Sequence, residues 1–129
     1  MQWLIKITLR NHIESMWHRR KNIMFDVKER DWKIFRKKII IWQENYMQKL
    51  NNEYIEILQR DNDASKNFWD LERRIYKNKR SVGVAIDMRR SKMHENIWAL
   101  LKDDIITFDD LNDFSEDFKS EIKYMIDRW

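Results

Sequence analysis

Proline is absent from this chain of 129 residues, and glycine occurs once, at Gly83. Tight turns draw on these two residues, so a strand-rich fold with many tight turns is disfavoured and long helices are expected. The length suits one domain with a modest core. An apolar fraction of 43% supports such a core, while 37% charged residues is well above the usual quarter and predicts wide solvated faces. The expected fold is all-α, a single helical domain over 1–129 made of a long-helix region (1–80) and a C-terminal helical region (81–129).

The apolar spacing supports this. Trp32, Phe35, Ile39, Trp42 and Tyr46 recur every three or four residues, as one buried stripe of a helix requires. Leu50, Tyr54, Ile57, Asp61, Ala64, Phe68, Leu71 and Ile75 carry the same phase onward. Within that run, Asp61, Asn62 and Asp63 resemble a helix break, with Asp63 as an N-cap. Because the phase passes through them unchanged, the preferred reading is one helix over about 27–79. At about 80 Å it would be too long for the rest of the chain to cover, and would need its own copy or another protein. A break at 61–63 would instead give an αα-hairpin.

Residues 3–9 alternate as a strand would, but Ile5, Leu9, Ile13 and Met16 also keep helical spacing. Helix is preferred, since only Val82–Ile86 offers a partner strand. Ser81–Ile86 reads as a connector, and 88–102 as a helix with Met93, Ile97, Leu100 and Leu101 inward. Thr107 and Asp110 form a capping box, and Ser115 caps a last helix with the stripe Phe118, Ile122, Met125, Trp129. These make three short C-terminal helical segments.

Charge is sorted along the chain. Residues 1–40 carry net +7, 41–102 carry +3 and 103–129 carry −6, for an overall +4. Such a chain either pairs its own ends or offers two differently charged faces to partners. Part of the lysine content reflects a composition typical of AT-rich genomes. The cations come in knots: Arg19–Lys21; Arg36, Lys37, Lys38; Arg73, Arg74; Lys77, Lys79, Arg80; and Arg89, Arg90. Trp17, Trp32, Trp69 and Tyr76 lie between them. Basic faces with stacking rings can track a nucleic-acid backbone, but most of these aromatics sit on or beside the apolar stripe and are expected in the core. Seven tryptophans exceed what such a core needs, and Trp and Arg dominate interface hot spots. The acidic residues Asp103, Asp104, Asp109, Asp110, Asp113, Glu116 and Asp117 suit helix N-termini; alternatively they imitate a row of phosphates. The expected partner-binding residues are therefore Arg36, Lys37, Lys38, Arg73, Arg74, Arg89, Arg90, Asp103, Asp104, Asp109, Asp110 and Asp113.

Much chemistry is excluded. There is no cysteine, so no disulfide or thiolate site. One glycine cannot build a phosphate-cradling loop, and no serine sits in a glycine-flanked nucleophile elbow. His12 and His18 lie about 240° apart on a helix and could not share a metal. The acidic run 103–113 has Ile105, Ile106 and Phe108 where calcium ligands belong. No cofactor or metal is implied. No apolar run reaches the roughly 18 residues needed to span a bilayer, and Lys6 and Thr8 interrupt the apolar start, so a cytoplasmic protein is expected. Arg89 and His94 form Arg-x4-His, resembling the signature of the HEPN ribonucleases. Chance supplies about 0.8 such matches in a chain with this arginine content, so an exposed Arg and a helix-contact His is the preferred reading, with a ribonuclease as the alternative.

The runs ASKNFWDLERRI (64–75), MRRSKM (88–93) and LLKDDIITFDDLNDFSEDFKSEI (100–122) resemble a set of short helical proteins from Gram-positive bacteria and their phages. The resemblance implies an accessory protein of a mobile element. Such proteins commonly bind host or competitor machinery, anti-CRISPR inhibitors among them, and no catalytic residue is carried over. The expected function is a non-enzymatic interaction or inhibitor protein docking on a host nucleic-acid-handling complex, with a Cas nuclease the leading partner. Direct RNA or DNA contact, a homodimer through the long helix, and a simple nucleic-acid binder acting through residues 19–38 are further expectations.

Overall fold

The computed structural model describes residues 26–128. Four α-helices run in order: α1 (Glu29–Leu58), α2 (Ala64–Asn78), α3 (Met93–Lys102) and α4 (Glu116–Arg128). Single 3-10 turns at Arg90–Lys92 and Phe108–Leu111 precede α3 and α4. No strand occurs among the described residues, so Val82–Ile86 is turn and extended connector. The expectations for residues 1–25, His12 and His18 among them, and for Trp129 lie outside the described residues.

The long helix breaks where its three polar residues mark it, and the continuous reading over 27–79 gives way to an αα-hairpin. Gln59 closes α1 by donating its N–H to Ile55 O, and Asn62 N–H turns back onto Arg60 O at 2.9 Å. Asp63 is the N-cap residue of α2, in extended conformation, but its side chain makes no capping bond. Asn67 instead reaches across: its Nδ2 donates to Arg60 O at 3.0 Å and Leu58 O at 3.5 Å, satisfying carbonyls that a helix end leaves open. The helices then run antiparallel, with Arg74 3.7 Å from Glu53 and Asn78 Nδ2 donating to the Tyr54 hydroxyl at 2.7 Å.

That seam explains why the unbroken apolar phase misled. The side of α2 facing α1 is Asn67, Leu71, Arg74 and Asn78. Phe68 and Ile75, which continue the stripe in sequence, lie on the exposed part of the helix. The phase continues through the break without continuing a buried face.

The main core forms around the first half of α1. Phe35 and Ile39 pack with Val82, with Met93, Ile97 and Leu100 of α3, with Ile106, Leu111 and Phe114, and with Phe118, Ile122 and Met125 of α4. An aromatic chain crosses it: Phe35–Trp42 at 6.4 Å, Trp42–Phe114 at 6.5 Å and Phe114–Phe118 at 5.0 Å between ring centres. The helix expected from 88 begins at Met93, and its predicted inward residues are buried except Leu101, which is half-buried. The Thr107–Asp110 capping box is formed, and Ser115 Oγ accepts Phe118 N–H at 3.2 Å. Asp104, at φ 56°, takes the left-handed conformation just beyond α3, a position where Asp is tolerated.

Thus α1, 30 residues and about 45 Å long, is a spine shared by two structures. Its first half belongs to the bundle and its second half to the hairpin. The connector returning from α2 crosses its middle. Gln43 Nε2 donates to Val82 O at 3.1 Å, and Gly83 lies against the Tyr46 ring. A Cβ built on Gly83 would fall 2.7 Å from Tyr46 Cε1, closer still to Cδ1, and 2.9 Å from Ile105 Cδ1. The single glycine is required by close approach. No helix among the described residues is long and apolar enough to cross a membrane.

Candidate functional site

Helix α2 buries only Asn67. Its remaining surface divides into two neighbouring strips. Phe68, Trp69 and Tyr76 are 60%, 55% and 55% exposed, which corrects the expectation that Trp69 and Tyr76 belong to the core. Trp32, by contrast, does pack against the core as expected. The exposed rings are held in place: Phe68 and Trp69 meet edge-to-face at 5.0 Å. The Arg80 guanidinium lies 4.8 Å from the centre of the Tyr76 ring and donates to its hydroxyl at 2.8 Å.

The second strip is cationic. Residues 73–80 hold five Lys and Arg, and no acidic residue occurs from 73 to 86. Helical spacing interleaves the strips, placing Trp69, Arg73, Tyr76 and Arg80 in one row. Beside that row, an open cleft of about 370 Å³ lies between the helices, lined by Ile57 and Arg60 of the α1 end and by Asp70, Arg73, Arg74 and Lys77 of α2. Asp70 is engaged by Lys66 at 3.1 Å and by Arg73. The hydrogen bond from Lys66, with that from Arg73, holds its carboxyl below the usual carboxylate range. Lys77 makes no ion pair among the described residues. The cleft lining thus carries a net positive charge.

The other expected residues are placed differently. Lys38 pairs with Asp113 at 3.0 Å and Lys28 with Asp117 at 2.6 Å, while Arg30 donates to Asp113 O at 3.5 Å. The hydrogen bond between Lys28 and Asp117 raises the lysine pKa and lowers that of the carboxyl. Of the two readings of the charge sorting, self-pairing therefore accounts for part: the start of α1 lies against the acidic entry to α4. Arg36 and Lys37 are exposed on α1. Asp110 is spent in its capping box and Asp104 in its left-handed turn, while Asp103 ends α3 and Asp109 is exposed. Arg90 binds Glu29 and the Val27 carbonyl, each at 2.5 Å.

Arg89 and His94 are committed to separate partners. Arg89 is exposed and forks onto Asp87, with Nε 2.8 Å from Oδ2. The His94 side chain is 3% exposed, 4.8 Å from the Phe118 ring centre, with Nε2 2.7 Å from Glu121 Oε2. Burial lowers its pKa below the ordinary 6.5 against the opposing pull of the Glu121 hydrogen bond. No group of three metal-ligating side chains occurs among the described residues.

The structure therefore gathers Arg73 and Arg74 of the expected residues into one place. The sequence reading places Lys77 in a basic knot and Trp69 and Tyr76 between the knots, but prefers the core for the rings and leaves all three out of the expected binding residues; Arg60 it does not single out. Arg60 reaches the cleft only because the chain reverses at 61–63, and the polar triplet was the one signal of that reversal. No family model, curated protein or solved structure matches the chain.

Proposed function

We propose that the protein is a non-enzymatic binding protein that docks on a nucleic-acid-handling host complex, with the α1–α2 hairpin as its docking arm. One observation carries this: a helix that turns three aromatic rings to solvent beside a run of five cations, with its buried side held by polar contacts. Exposed apolar surface of this kind marks interaction sites. Aromatic and arginine side chains together are the chemistry of interface hot spots and of nucleoprotein surfaces. The resemblance of residues 64–122 makes a Cas nuclease the first complex to try.

The test is co-purification from the host with the wild-type protein and with Trp69→Ala/Tyr76→Ala, identifying both protein and nucleic acid in the recovered complex. Recovery of a nucleoprotein that the double variant loses supports the proposal. Recovery of none above an empty bait, or equal recovery by the variant, overturns it.

A further inference from the structure

The cleft of the hairpin points to a more specific ligand. Resting on the docking role above, we infer that Arg60, Arg73, Arg74 and Lys77 form a phosphate-binding site for a single-stranded nucleic acid, whose bases stack on Trp69 and Tyr76.

Four cations, Arg73, Arg74 and Lys77 from α2 and Arg60 from the turn after α1, converge on a cleft whose lining includes one carboxylate, Asp70, already bonded to Lys66 and Arg73. The six lining residues thus sum to three positive charges, and even with Glu53 opposite Arg74 the balance stays cationic. That charge selects among occupants. A second copy would bring two such faces together, with five like charges in residues 73–80 of each, and like-charge juxtaposition opposes the pairing. A polyanion gains where a copy loses.

The neighbouring rings select further. In a duplex the bases are stacked on one another and leave an exposed helix aromatic nothing to cover. Unpaired bases present their faces, and stacking on aromatic side chains is how single strands are held without sequence preference. Trp69 and Tyr76 are seven residues apart on one side of α2, about 10.5 Å along its axis. Each is held by a neighbour, Phe68 or Arg80, so little side-chain freedom remains to be lost on binding. Arg73, between them in the row, also lines the cleft, so phosphate and base contacts share one edge of the helix.

The test is fluorescence anisotropy of the full chain with end-labelled 15-nucleotide single-stranded DNA, single-stranded RNA and the corresponding duplex, from low to physiological salt. Single strands bind more tightly than duplex, and the DNA and RNA arms show which is preferred. With three or four phosphates engaged, log K falls against log salt with a slope of about −2 to −3. Arg73→Ala/Lys77→Ala, both at exposed positions, weakens binding and flattens that slope by about 1.4. Trp69→Ala/Tyr76→Ala weakens binding roughly tenfold or more at unchanged slope. A thermal melt equal to wild type shows that each variant is folded.

Absence of single-strand binding at low salt overturns the inference, as does duplex binding of equal strength. Binding that neither variant alters places the contact elsewhere on the chain and also overturns it. Tighter binding of a labelled poly-glutamate peptide assigns the cleft to an acidic protein instead. If a host nucleoprotein still co-purifies through Trp69 and Tyr76 while bare strands do not bind, the docking role stands and this inference falls.

Discussion

Asp31, in the first turn of α1, holds Ser115 with both carboxylate oxygens: Oδ1 accepts the Ser115 N–H at 2.8 Å and Oδ2 its hydroxyl at 2.6 Å. The two residues are 84 apart in sequence, and Asp31 is 2% exposed. Ser115 uses its remaining capacity to cap α4. A buried carboxylate thus ties the start of the spine to the start of the last helix.

Removing that carboxylate leaves the part-buried Ser115 N–H and hydroxyl proton without their acceptor. Asp31→Ala is expected to cost about 2–4 kcal/mol, and Asp31→Asn less, since its amide can both accept and donate. Urea denaturation of Asp31→Ala, Ser115→Ala and the double variant checks this through a double-mutant cycle. Strictly additive losses would show that the two residues do not act as a pair.

Gly83→Ala places a methyl group in overlap with the Cδ1–Cε1 edge of the Tyr46 ring and tight against Ile105 Cδ1. Overpacking of this kind costs about 1–3 kcal/mol. Combining it with Tyr46→Ala should recover part of the loss, because the clash is with that ring. An unchanged melting temperature for Gly83→Ala alone would contradict the contact.

His94 makes stability depend on pH. Its folded pKa lies below 6.5, so as pH falls through about 6.5 the unfolded chain takes up the proton before the folded one does. Stability is therefore full above that value, declines as pH drops toward the folded pKa, and gains no further dependence from this group below it. Denaturant midpoints between pH 8 and 5 should show the decline. His94→Gln should flatten it relative to wild type, and an identical pH dependence in that variant would refute the assignment.

Asn67 bridges the end of α1 from within α2, although its buried Oδ1 finds no hydrogen-bond partner among the described residues. That unmet acceptor offsets part of what its amide contributes, so Asn67→Ala is expected to cost only about 1 kcal/mol. The loss should be local. Hydrogen exchange should quicken across 59–78 while α3 and α4 keep their protection. Uniform acceleration across both regions would mean that the hairpin and bundle open together.

Much of the bundle was legible because it rests on local signals. Phe118, Ile122 and Met125 repeat at helical spacing within 13 residues, and Thr107 with Asp110 forms its box within four. The site was harder to read. Trp69 looked like a core residue because it lies beside an apolar stripe, yet which side of α2 meets α1 depends on Asn67, Arg74 and Asn78 finding polar partners up to 24 residues away. Arg60 carries no signal of its own.

By itself the sequence determined that the described residues are helical and which short motifs open the C-terminal helical segments, because those depend on backbone preferences and contacts within a few residues. The tertiary structure alone decided that α2 folds back, that Lys28 and Lys38 meet Asp117 and Asp113, that Gly83 must pass a ring, and that Trp69 and Tyr76 face solvent. Burial and charge pairing are relations between distant segments, and helical period alone does not say which face a neighbour will cover.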